Sequence, residues 1–198
     1  MDIINDSNYT VILGSGSSRR KQLLEMTGIK FEINSKPVNE DFPETLKSQE
    51  ISEFIVTNKS KPFKEIIKEN QIIITADTLV WFHGKCWGKP NDKHDAKKML
   101  KMFSGTSHDV ITSVGFLTSN NFKILTETTK VTYKELTERE INYYVDTVNP
   151  IDKAGSYGIQ DWIGMIGVEE INGSYTSVLG LPVPQVTNQI FKIINENL

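Results

Sequence analysis

A chain of 198 residues with 38% hydrophobic and 24% charged side chains can bury a sizeable core and is too balanced in composition for disorder. Its net charge of -3 argues against a nucleic-acid coat, so any basic site must be local. The single cysteine, Cys86, rules out an intramolecular disulfide and a cysteine-rich zinc site, and no apolar run approaches the ~20 residues that span a bilayer.

The N-terminus, MDIINDSNYT, has neither a basic nor an apolar leader segment, which predicts no secretion signal and a cytoplasmic location. Residues 11–13 read as a short buried strand. A Gly/Ser-rich turn follows, then a helix over 19–27 that Gly28 stops. Residues 29–34 predict a second strand and 35–44 a polar loop. Ile51, Phe54 and Ile55 keep helical spacing in the next element, which Pro62 interrupts before Phe63, Ile66 and Ile67 resume the pattern. The run QIIITADTLVWF is a strand with an acidic residue in its middle. Residues 91–103 predict a helix with Ala96, Met99, Leu100 and Phe103 on one face. Residues 108–118 and 126–134 predict antiparallel strands joined around 119–121. Thr137 and Glu140 form a capping box, Leu136 and Ile141 a hydrophobic staple, and Ile141, Tyr144, Val145 and Val148 the buried face of the helix they start. Asn172-Gly173 signals a hairpin, and Val186, Ile190, Ile193 and Ile194 mark a last helix. The order predicts one mixed α/β domain over 1–198, with no repeat or linker.

Arg19 and Arg20 sit where a helix begins, where the macrodipole already disfavours cations unless an anion offsets them. Backbone N–H groups of the turn, the hydroxyls of Ser15, Ser17 and Ser18, and two guanidinium forks suit a phosphate. The alternative is a solvated turn with two surface arginines; neither the Walker A loop nor the dinucleotide fingerprint is present. Asp77 lies in an apolar strand, where an uncompensated charge is expensive. It binds a hard cation or activates water, or else caps a neighbouring backbone group. Glu40 gains meaning only if folding brings it near Asp77. Lys59 follows Ile51 and Ile55 at helical steps, so it either snorkels or meets an anion. Lys89, in WGKP, is a second phosphate contact or a surface lysine. The segment DKAGSYGIQ, without helical or strand period, suits base recognition through Gln160 or is an ordinary turn. The three histidines lack metalloprotease spacing, no GxSxG elbow is present, and Cys86 reads as structural.

Together, in order and at these spacings, SGSSRR, the acidic NED loop, ADT, GKP, DKAGSYGIQ and INGSY…GLP resemble the Maf family of nucleoside triphosphate pyrophosphatases, from about residue 13 to 182. The resemblance implies an α/β fold of two lobes around a deep cleft, similar to inosine triphosphate pyrophosphatases, and a homodimer. It implies hydrolysis of a nucleoside triphosphate to the monophosphate and pyrophosphate. The GIQ loop resembles the branch acting on dTTP, UTP and modified pyrimidine nucleotides. Carried over by position, Ser15, Ser17, Arg19, Arg20, Lys59, Lys89 and Gln160 bind substrate, Glu40 and Asp77 hold Mg²⁺ or Mn²⁺, and Asp77 is the catalytic base. Replacing Arg20 with alanine is then expected to lower kcat/KM with folding intact. Ser18 stands at a common proline, and Asp161 at the usual glycine after the glutamine, a departure expected to alter the pocket's rim or its flexibility. Two alternatives are a pyrophosphatase for 7-methyl-GTP or other purine nucleotides, and a non-catalytic regulator of septum formation.

Overall fold

The computed structural model describes Ile4 and residues 7–196, so part of the leader-free N-terminal reading lies outside the described residues. Seven strands form one mixed sheet in the order β2-β1-β3-β5-β6-β7, with β4 beside β3. They are β1 (Thr10–Leu13), β2 (Phe31–Ile33), β3 (Gln71–Phe82), β4 (Lys85–Trp87), β5 (Ser107–Leu117), β6 (Phe122–Tyr133) and β7 (Val168–Asn172). β1 runs parallel to β2 and β3; every other pairing is antiparallel. The helices are α1 (Ser18–Glu25), α2 (Gln49–Ser60), α3 (Lys93–Phe103), α4 (Glu138–Val148), α5 (Trp162–Gly167), α6 (Tyr175–Val178) and α7 (Val183–Asn195).

The two-residue period of β3 sorts its side chains onto two faces. Ile72, Ile74 and Ala76 enter a core with β1, α1 and α7, while Val80 and Phe82 enter a second core with α3 and α4. Thr78 separates these cores and hydrogen-bonds Thr112 on β5 (3.0 Å). The opposite face carries Ile73, Thr75, Asp77 and Leu79. Here α2 covers the sheet, with Ile51 and Ile55 packed against Leu79 and Ile111. Polar residues under α2 are all bonded: Thr75 Oγ1 donates to the Val56 carbonyl (3.2 Å), and the Ser52 and Ser113 hydroxyls are 2.7 Å apart.

One edge of β3 makes the cleft. On that edge residues 71–74 pair with β1 and residues 80–82 with β4. Residues 75–79 between them meet neither strand, and Asp77 and Thr78 sit in this opening, pointing to opposite faces. β4 itself is three residues long and follows a tight turn at His83-Gly84, where both φ angles are positive (50° and 73°).

Four local expectations change. The helical pattern does not resume after Pro62: the chain makes only a 3-10 turn over Lys61–Phe63, and Ile66 is exposed. Val148 is exposed, because α4 ends there and Asn149 turns left-handed (φ 53°). Asn172-Gly173 is no hairpin: β7 pairs back onto β6, and Ser174 caps α6 by accepting from Ser177 N–H. β6 begins at Phe122 rather than 126. The capping box at Thr137 and Glu140 forms as expected, with both reciprocal bonds present.

Candidate active site

A cavity of about 700 Å³ fills the opening beside β3, within the usual range for small-molecule sites. Its wall includes every residue that the resemblance assigns to substrate, metal or catalysis: Ser15, Ser17, Arg19, Arg20, Glu40, Lys59, Asp77, Lys89 and Gln160.

β1 ends at Leu13 and its ladder continues for one residue, Gly14 N–H donating to the Ile74 carbonyl (2.8 Å). A side chain at Gly14 would press on Thr75 and Phe63 at 3.1–3.3 Å, so the chain crosses the sheet closely here. The turn then delivers Ser15–Ser17 to the cavity, and Ser17 caps α1 by accepting from Arg20 N–H (3.4 Å). Arg20 reaches inward. Its Nε donates to the Gly180 carbonyl (2.9 Å), Nη1 to Ser15 Oγ (3.2 Å) and Nη2 to Thr78 Oγ1 (3.1 Å). Burial lowers its pKa while Asp77 pulls the other way, and a guanidinium stays charged regardless. Arg19 points to the mouth, where Nη1 pairs with Asp152 Oδ2 at 3.4 Å.

Asp77 is buried but not uncompensated, which corrects the reading of an isolated charge. Lys59, projecting from α2, brings Nζ to 2.8 Å from Asp77 Oδ1 and 3.0 Å from Glu40 Oε1. The loop carrying Glu40 is thus drawn to the strand carrying Asp77, and two carboxylates converge on one point. Lys59 neither snorkels nor waits alone for an anion; it is the internal counter-ion of both.

The far wall is the 152–161 segment. Gly155 (φ 68°) and Ser156 (φ 65°) both lie in the left-handed region, and Gly155 N–H donates to the Gly88 carbonyl (2.9 Å), tying this loop to the turn that carries Lys89. A side chain at Gly155 would strike Val80 at 2.8 Å. Asp161 does not face the rim. Its Oδ2 accepts from the buried Tyr144 hydroxyl (2.7 Å) and lies 3.8 Å from Lys153 Nζ. That anchors the segment holding Gln160 to α4. Below it, His108 Nε2 meets the Tyr157 hydroxyl at 2.7 Å, and burial pushes the His108 pKa down to about 4, so the ring is neutral at pH 7. Cys86 also lines the cavity rather than serving only as filler. Burial, with Asp77 adding to it, pushes its thiol up to about 11, which leaves it protonated and a poor nucleophile.

Sequence reading assigned no role to Thr78, Asp152 or Lys153, which hold Arg20, Arg19 and Asp161. Thr78 carries no signal of its own, and Asp152 and Lys153 entered only as the first residues of DKAGSYGIQ. Among the described residues, no group of three or more His, Cys, Asp or Glu could cage a metal. The Glu40–Asp77 pair nevertheless fits a hard divalent cation, because magnesium is commonly held by one or two carboxylates with substrate phosphates completing its shell.

Residues 10–193 match the family described as Maf-like protein. A protein of Christiangramia forsetii named dTTP/UTP pyrophosphatase is 47% identical over 191 residues, covering 96% of this chain and 95% of its own. One of the same name from Flavobacterium johnsoniae is 44% identical over 186 residues, covering 94% and 96%. Among solved structures, the Staphylococcus aureus Ham1 protein matches at 10% identity with a TM-score of 0.47, over 63% of this chain and 71% of that one. Among the described residues, no helix is long and apolar enough to cross a membrane.

Proposed function

The chain belongs to the Maf family, and from that premise we propose that it is a pyrophosphatase hydrolysing dTTP and UTP to the monophosphate and pyrophosphate. The observation that carries the reading is the convergence of Glu40 and Asp77 on one point inside a cavity also lined by Arg19, Arg20, Lys59 and Lys89. A triphosphate needs such cations. A site for phosphate alone gains nothing from two carboxylates, which disfavours a purely binding role.

In this reading the turn at Ser15–Ser17, Arg19 and Lys89 hold the triphosphate. Arg20 keeps the turn, Thr78 and the Gly180 strap in register behind it. Glu40 and Asp77 would hold a divalent cation, Mg²⁺ or Mn²⁺, which when bound would supply positive charge against the phosphate oxygens. Asp77 accepts a proton from the water that attacks the α-phosphorus. The new bond joins that oxygen to Pα, and the Pα–O bond to the β-phosphate breaks. Gln160, held beside the Asp161 anchor, offers one donor and one acceptor to a uracil or thymine edge, which presents two carbonyls and one N–H.

Pyrophosphate release from dTTP, UTP, CTP, GTP and 7-methyl-GTP tests the reading. Turnover should be fastest on dTTP and UTP, and Gln160→Glu should lose more on these two than on the poor substrates. Preference for a purine nucleotide, or no metal-dependent release from any, contradicts it.

A further inference from the structure

Lys59 Nζ stands where the two carboxylates meet. Besides Glu40 Oε1 (3.0 Å) and Asp77 Oδ1 (2.8 Å), it lies 3.4 Å from the Ala76 carbonyl, and its side chain is only 14% exposed. Two carboxylates and a backbone carbonyl are oxygen donors that a hard cation prefers. One point cannot hold both an ammonium and a divalent ion, since like charges at such separations repel strongly. An incoming nucleotide changes that balance. A triphosphate with one divalent ion keeps a net negative charge, so an ammonium displaced from the carboxylates gains phosphate oxygens in exchange. Lysine suits the exchange: a flexible four-carbon stem carries its point charge, unlike the rigid fork of arginine.

We propose that Lys59 is a removable counter-ion, holding in the free protein the place between Glu40 and Asp77 that the divalent cation takes, and moving to the substrate's phosphates when metal and nucleotide arrive. The proposal rests on the pyrophosphatase reading above. Its consequence is a coupling: the free protein binds metal weakly, nucleotide strengthens metal binding, and metal strengthens nucleotide binding by the same factor.

The test is Mn²⁺ binding to the whole chain, followed by the paramagnetic resonance of free Mn²⁺. Wild type, Lys59→Met, Lys59→Gln and Lys89→Met are titrated without nucleotide, and wild type again with the uncleavable α,β-imido-UTP. Both Lys59 variants should bind Mn²⁺ about tenfold or more tighter than wild type. Lys89→Met removes the same charge from the same cavity without touching the carboxylates, and should stay within about threefold of wild type. The analogue should tighten Mn²⁺ binding to wild type by about tenfold or more. Lys59 variants no tighter than wild type overturn the proposal. So does Lys89→Met matching them, because net cavity charge would then decide the affinity. If either Lys59 substitution unfolds the chain, the other and the wild-type titration with analogue decide; an analogue that leaves Mn²⁺ affinity unchanged overturns the proposal. Failure of the underlying reading shows separately, as wild type releasing no pyrophosphate from dTTP or UTP with Mn²⁺.

Discussion

Arg20 donates three hydrogen bonds to the protein itself, to Gly180, Ser15 and Thr78, whereas Arg19 makes one ion pair, with the exposed Asp152. The two adjacent arginines therefore differ in what their loss does. Arg19→Ala removes a surface pair worth ~0–1 kcal/mol to stability. Its cost falls on phosphate binding, with kcat/KM lower by about 10- to 100-fold, as for losing a hydrogen bond to a charged group. Arg20→Ala leaves a carbonyl and two hydroxyls without their donor, so it lowers stability as well, by on the order of 1.5–3 kcal/mol. This revises the expectation that Arg20→Ala leaves folding intact. Denaturant melts beside steady-state kinetics check the pair. An Arg20→Ala variant as stable as wild type contradicts its structural role.

At the scale of elements, His108 shows what the second core demands. It sits near the start of β5, its ring tilted against Phe103 (ring centroids 4.5 Å apart, planes 32° apart) and bonded to Tyr157, so β5, α3 and the 154–157 turn meet on a ring with no room for charge. With the pKa held near 4 in the folded state and about 6.5 when unfolded, the unfolded chain takes up the proton first as pH falls. Stability is unaffected above pH 6.5 and is lost as pH drops from 6.5 through 4, by about 3 kcal/mol at pH 4. Urea melts across that window should show a steeper loss in wild type than in His108→Gln; parallel curves contradict the assignment. The elements themselves were legible wherever a period ran long enough. β3 and β5 are long apolar runs buried on both faces, and α2, α3 and α7 carry 3.6-residue patterns. α5 carried none. Its six residues include Gly164, which the fold needs because a Cβ there would come within 2.2 Å of the Ile159 carbonyl, and a glycine reads in sequence as a helix breaker. At Asn172-Gly173 a true turn signal was present, but Ser174 used it to start a helix.

For the molecule as a whole, the cleft is a property of the sheet. β3 is long enough to pair with β1 at one end and β4 at the other, and the edge left between them becomes the cavity. No local pattern encodes that gap. Nor does any spacing reveal that Glu40, Lys59 and Asp77, on a loop, a helix and a strand, are joined by a single ammonium lying within 3.0 Å of both carboxylates. The ordered set of motifs brought these residues together; their chemistry taken singly left each one open. The arrangement also alters what removing Asp77 does. With Lys59 and Glu40 still paired, Asp77→Asn keeps most of the local bonding, so the fold should hold while proton acceptance is lost. The most direct test is pyrophosphate release from UTP by wild type and Asp77→Asn, with thermal melts on the same samples. A folded Asp77→Asn variant slower by roughly 10²-fold or more is the predicted result. A folded variant that releases pyrophosphate at the wild-type rate would contradict the account and place the chemistry elsewhere on the chain.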